Sequence, residues 1–165
     1  MGIKSYIVNF LKFLKQGEVK YVSVTFTNPD ARYTNKKVFI SGGSEGLGRA
    51  MAKAYLAEGA EVIVTGRSKE KLSNFQLSES NAKLHTLVWD ALDFDSYKQK
   101  FDEAVSMMGR IDIFVNNVGG GMSKYEPWNA YTAEVLDRTY DINTNSMFLM
   151  CHMEGLYMID NKIKG

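Results

Sequence analysis

The 165-residue chain has one cysteine, Cys151, two histidines and no excess of either charge, with 20 Lys and Arg against 19 Asp and Glu. Each scarcity excludes something. A single cysteine rules out an internal disulfide framework and a cysteine-based zinc site, and it fits a reducing, cytoplasmic setting. His85 and His152 lack metal-ligand spacing, so no metal is expected. The near-zero charge balance leaves no basic footprint for nucleic acid. Long apolar runs are missing too. The segment with Ile3, Tyr6, Ile7, Phe10, Leu11 and Leu14 is too short and interrupted for a membrane span or a secretory leader, and Tyr6 stands where a myristoylation motif needs Ser or Thr.

What is present is the composition of one globular domain with a substantial core: 45% hydrophobic and 24% charged residues. The N-terminal apolar residues recur at helical spacing with Lys4, Lys12 and Lys15 around them, which predicts an amphipathic helix docked on the domain or a partner. Val19, Tyr21, Val22, Val24, Thr25 and Phe26 predict a strand, closed by the turn Asn28-Pro29-Asp30. Residues 1–35 read as an appendage and 36–165 as the main domain. From Lys37 onward short β-type runs alternate with helical stretches. Strands are expected at Lys37–Ser41, Glu61–Thr65, Leu84–Trp89 and Ile111–Val115. Helices are expected near 47–58, 68–75 and 94–108, and as one long helix over 132–159. That order predicts an α/β fold with an open, doubly wound parallel sheet, whose strand carboxyl ends share one ligand-binding edge.

The first expected strand runs into Ser41-Gly42-Gly43-Ser44-Glu45-Gly46-Leu47-Gly48. Glycines here allow a sharp turn and a close backbone approach to a pyrophosphate. The helix opening at Leu47 aims free N–H groups and its positive dipole end at the same place. Ser41, Gly42, Ser44, Gly46, Leu47 and Gly48 are therefore candidate binding residues. The spacing differs from the common dinucleotide fingerprint and lacks the lysine of a triphosphate loop. An ordinary glycine turn is the bland alternative.

At the end of the second strand Arg67 stands where an acid would bond ribose hydroxyls, and a guanidinium suits a 2′-phosphate there. A plain surface arginine opening a helix is the competing reading. Asp90 closes the third strand, where its carboxylate suits an adenine amino group or simply solvent. Asn116-Asn117-Val118-Gly119 closes the fourth. Amides there tie neighbouring backbone together and Gly119 leaves room for a ribose, or the pair merely caps the strand.

Taken in order, Ser41-Gly42-x-x-x-Gly46-x-Gly48, Arg67, Asp90, Asp112, Asn116-Asn117-x-Gly119 and Asn143 resemble the short-chain dehydrogenase/reductase family over about residues 36–152. Ser41 replaces the usual Thr, and Val118 a common Ala. The resemblance implies a Rossmann-type sheet, a nicotinamide cofactor and hydride transfer with a small carbonyl or alcohol substrate. With Arg67, NADP(H) is expected over NAD. It also implies that Asn143 supports a proton relay and that the complete protein is a homo-oligomer.

The family's catalytic serine and Tyr-x-x-x-Lys pair, which follow a fifth strand, have no counterpart here. The one match, Tyr33 to Lys37, precedes the first strand and should lie at the edge away from the cofactor. A dinucleotide-binding or scaffold protein without turnover is therefore the alternative reading. Cys151 and His152 are adjacent on a helix and point about 100° apart, so they read as packing and surface residues. Met147, Met150, Met153 and Met158 read as packing residues, and Gly119-Gly120-Gly121-Met122 as a lip of the site or an ordinary loop. The free edge of the fourth strand and the unpartnered last helix predict association.

Overall fold

A computed structural model describes residues 32–120 and 132–164. The expected N-terminal helix and strand, and the Gly121-Met122 part of the lip, lie outside the described residues.

Strand β1 (Lys37–Ile40) leads into helix α1 (Gly46–Ala57), β2 (Glu61–Gly66), α2 (Lys69–Glu79), β3 (Leu84–Val88), a single 3-10 turn (Phe94–Ser96), α3 (Tyr97–Met108) and β4 (Ile113–Val115). The strands form one sheet in the order β3-β2-β1-β4, and every pairing is parallel. Val38 pairs with Val62 on one side and Ile113 on the other.

Successive strand residues point to opposite faces, and the sequence supplies apolar side chains to both. Val38, Ile40, Val62 and Val64 face α1 and α2, where Ala52, Leu56, Leu72 and Phe75 close one core layer. Phe39, Ile63 and Leu87 face the other way, onto Phe101, Ala104 and Met108 of α3 and Met150 further along. Phe39 stands edge-on to Trp89, which in turn stands edge-on to Tyr97. Two helical layers on a parallel sheet make the doubly wound α/β fold expected from the alternating pattern.

Local chemistry sets the boundaries. Ser68 caps α2 by accepting from the Lys71 N–H, and Gly109 ends α3 at φ 70°. Strand β4 starts at Ile113, later than expected; just before it, Asp112 accepts from the Lys37 N–H with Oδ2 at 3.0 Å and from Arg110 with Oδ1. At the amino edge of the sheet Lys37 Nζ bonds the Met108 carbonyl and pairs with Glu61, while Tyr33 packs on Tyr55. Tyr33 and Lys37 therefore sit opposite the glycine loop, as their place at the start of β1 required.

The last helical region is interrupted where one uniform helix was expected. Helix α4 (Ala133–Tyr140) passes into a wide π turn (Asp141–Asn145) before α5 (Ser146–Asp160). Asn143 Nδ2 donates to the Thr139 carbonyl four residues back at 2.8 Å, taking the acceptor that a backbone N–H would use in a regular ladder. A π turn placed mid-helix is often a functional feature.

Candidate functional site

Strand order reverses between β1 and β4, so the loops that follow these strands emerge side by side at the carboxyl edge. Ser41 and Asn117 lock them together. The Ser41 hydroxyl accepts from the N–H groups of Asn117 and Val118 at 3.0 and 3.1 Å, and Asn117 Nδ2 donates to the carbonyls of Ser41 and Gly42 at 3.2 and 3.0 Å. Buried polar groups of both loops are satisfied by each other, which fixes the backbone without help from solvent.

The glycines are needed for space. Gly42 and Gly46 take φ 68° and 59°, in the left-handed region. A Cβ on Gly48 would overlap the Gly42 carbonyl oxygen and approach Asn117 Nδ2 at 2.6 Å. One on Gly46 would meet nothing within 4 Å, so the open ground of this loop lies at Gly46, where α1 begins. No side chain caps α1, and its first N–H groups are left without an intrahelical partner.

A cleft of about 700 Å³ opens beside this loop. Of the residues singled out in the sequence, Gly42, Ser44, Arg67, Asp90 and Gly119 line it. Ser41 and Gly48 are buried behind the lining, and Gly46 and Leu47 are exposed at its rim. Asp90 Oδ1 accepts from the Leu92 N–H at 3.0 Å, and Tyr97, its hydroxyl held at about 12 by burial, donates to the Ala91 carbonyl at 2.7 Å. Those two bonds shape the loop that presents Asp90.

Asn116 is the exception and requires a correction. Its side chain turns away from the cleft and donates to Glu154 Oε2 of α5 at 2.6 Å and to Cys151 Sγ at 3.2 Å. Alternation along the strand end decides this, since neighbouring Asn117 takes the cleft side. Asn143 is placed next to the lining. Its Oδ1 accepts from the Gly120 N–H at 3.1 Å and its Nδ2 donates to the Gly120 carbonyl at 2.6 Å, so one side chain clamps both polar groups of that residue.

Residues passed over in the sequence complete the site. Val135, Arg138, Thr139 and Ile142 share one face of α4 and its π turn and form the opposite wall, while Glu45 and Lys71 stand beside Arg67. The 135/138/139/142 spacing was a readable helical signal; Glu45 and Lys71, 26 residues apart, carried none. Glu154 was missed as well. It is buried, with Oε1 unpartnered among the described residues, and burial pushes its carboxyl up to about 7 despite the bond from Asn116. Ser146, Met150 and Glu154 form the buried face of α5 at four-residue steps, so an acid on that stripe was the available signal.

A sheet reversing beside a glycine loop, an uncapped helix start and a cleft at their junction define a Rossmann-type nucleotide-binding α/β protein, and the residues present fit a dinucleotide. The tight packing at Gly48 and the open space at Gly46 suit a diphosphate held by main-chain amides. The sequence profile of the short chain dehydrogenase family matches residues 36–165, and the chain belongs to that family. Its members include oxidoreductases using nicotinamide dinucleotides. The chain is 31% identical over 124 residues to 7alpha-hydroxysteroid dehydrogenase of Bacteroides fragilis, covering 74% of this chain and 46% of that protein. With levodione reductase of Leifsonia aquatica it shares 35% identity over 127 residues, covering 74% and 47%. A crystal structure of a short chain dehydrogenase from Bacillus anthracis superposes with a TM-score of 0.71 at 32% identity, covering 79% of this chain and 52% of that one. The chain thus spans about half the length of the relatives it matches. Among the described residues no helix is long and apolar enough to cross a membrane, and no cluster of His, Cys, Asp and Glu could hold a metal ion.

Proposed function

We propose that the chain is the coenzyme-binding part of an NADP(H)-dependent oxidoreductase that moves hydride between the nicotinamide and a carbonyl or alcohol group of a small molecule. The observation that carries this reading is the single cleft shared by the glycine loop and Arg67. The first N–H groups of α1, around Gly46, Leu47 and Gly48, receive the diphosphate together with Ser44. Ser41 and Asn117 hold that loop in place from behind. Arg67 meets the 2′-phosphate, Asp90 the adenine amino group and Gly119 a ribose. The bound coenzyme supplies or accepts the hydride. Asn143 holds the Gly120 backbone at the far end of the cleft, where the family resemblance puts the proton-relay asparagine. The relatives' names, a hydroxysteroid dehydrogenase and a levodione reductase, support the alcohol and carbonyl reaction class.

Titration of the chain with NADPH and NADH, repeated on Arg67→Ala, tests the reading. The expected result is tighter binding of NADPH by about ten- to a hundredfold, the range of a charge-assisted bond, lost in the variant. Equal affinities before and after the substitution discard the assignment of Arg67.

A further inference from the structure

Three charged side chains, Glu45, Arg67 and Lys71, stand together where the glycine loop meets α2. Glu45 occupies the position before α1 with extended backbone, φ −154° and ψ 176°, yet makes no capping bond to that helix. Both of its carboxylate oxygens instead accept from Lys71 Nζ, at 2.8 Å each. The hydrogen bond and charge of Lys71 hold the Glu45 carboxyl below the usual carboxylate range, and the nearby Arg67 charge adds to this. Arg67 itself is exposed and makes no ion pair among the described residues.

We propose that Glu45 is an internal surrogate for the coenzyme's 2′-phosphate: it occupies Lys71 until the phosphate takes its place, after which Lys71 and Arg67 grip the phosphate together. Glu45 thereby sets how strongly the phosphorylated coenzyme is preferred. This rests on the NADP(H) reading above.

Charge and geometry both support the exchange. Two cations and one acid leave a net positive corner, and a phosphate monoester brings up to two negative charges and three acceptor oxygens against the single charge of a carboxylate. An exposed Lys–Glu pair contributes little to folding, so breaking it leaves the fold intact. Lysine carries its charge on a flexible four-carbon stem, so Nζ can turn from the carboxylate to a phosphate beside Arg67. A coenzyme with a free ribose diol brings no charge to this corner, and Glu45 keeps Lys71.

Coenzyme titrations of the chain, Glu45→Gln, Lys71→Met and the double variant test the proposal, with circular dichroism to verify folding. Glu45→Gln is expected to tighten NADPH binding about tenfold at low salt and to leave NADH within about twofold. Lys71→Met is expected to weaken NADPH alone, and Glu45→Gln is expected to add nothing in the Lys71→Met background. The proposal is overturned by an unchanged NADPH affinity in Glu45→Gln, by equal tightening of both coenzymes, or by a gain that persists without Lys71. A parent chain that binds neither coenzyme overturns the underlying coenzyme reading instead.

Discussion

Asn116 donates Nδ2 to Glu154 Oε2 at 2.6 Å, joining the end of β4 to the buried face of α5. Few buried acids are held by a single neutral amide, and this one keeps its second oxygen unpartnered among the described residues. The same Asn116 amide also donates to Cys151 Sγ at 3.2 Å, one turn back on α5. Among the described residues no cation contributes to holding it charged.

The pH dependence of stability follows. Glu154 titrates at about 7 in the folded chain against 4.5 ordinarily, so the native state retains a proton that the unfolded chain has lost. Its contribution is full below about pH 4.5, declines as pH rises to about 7 and is flat above; the total is roughly 3 kcal/mol. Urea unfolding of the chain and Glu154→Gln from pH 4.5 to 8 measures it. The stability difference, variant minus parent, should grow by that order over this range; a constant difference sinks the assignment.

Ser41→Ala removes the acceptor shared by the Asn117 and Val118 N–H groups. A loss of about 1–3 kcal/mol is expected from leaving buried donors unpaired, with weaker coenzyme binding because the two loops separate. Denaturant melts and NADPH titration read both effects. Unchanged affinity with reduced stability would show that the brace serves folding alone.

Two glycine substitutions should have opposite signs. Gly48→Ala forces a Cβ into the Gly42 carbonyl and is expected to lower both stability and coenzyme affinity. Gly155→Ala, inside α5 with nothing within 4 Å of the added carbon, is expected to stabilise by about 0.5–1 kcal/mol through helix propensity. Thermal melts of the pair decide the matter, since similar losses in both would contradict the packing described for the loop.

Helix α5 exposes Phe148 at 72% and Ile159 at 73%, large apolar side chains of the kind that mark an interaction surface. Sedimentation velocity over a concentration series is expected to show association that Phe148→Asp and Ile159→Asp together abolish. A concentration-independent monomer in the parent chain removes the basis for an α5 interface.

Much of the fold was legible because it depends on local periodicity. The residues of β1 and β2 alternate between two apolar faces, and α1 and α3 repeat their apolar positions at helical spacing, so strand and helix could be assigned before any contact was known. Gly42, Gly46 and Gly48 were equally plain, since a left-handed backbone at the first two and the lack of room at the third call for glycine. The interruption of the last helix was not legible. Asn143 reaches Thr139 and Gly120 at once only after β4 and α4 are brought together.

By itself the sequence determined which segments between Lys37 and Val115 are strands and helices, that the sheet is parallel and covered on both faces, and that a glycine loop opens α1. Those properties reside in the spacing of residues along the chain. Only the tertiary structure decided that Asn117 faces the cleft and Asn116 faces Glu154, that Lys71 is held by Glu45, and that an acid is buried in α5. These depend on distances between residues far apart in sequence, and charge and hydrogen bonding act through space.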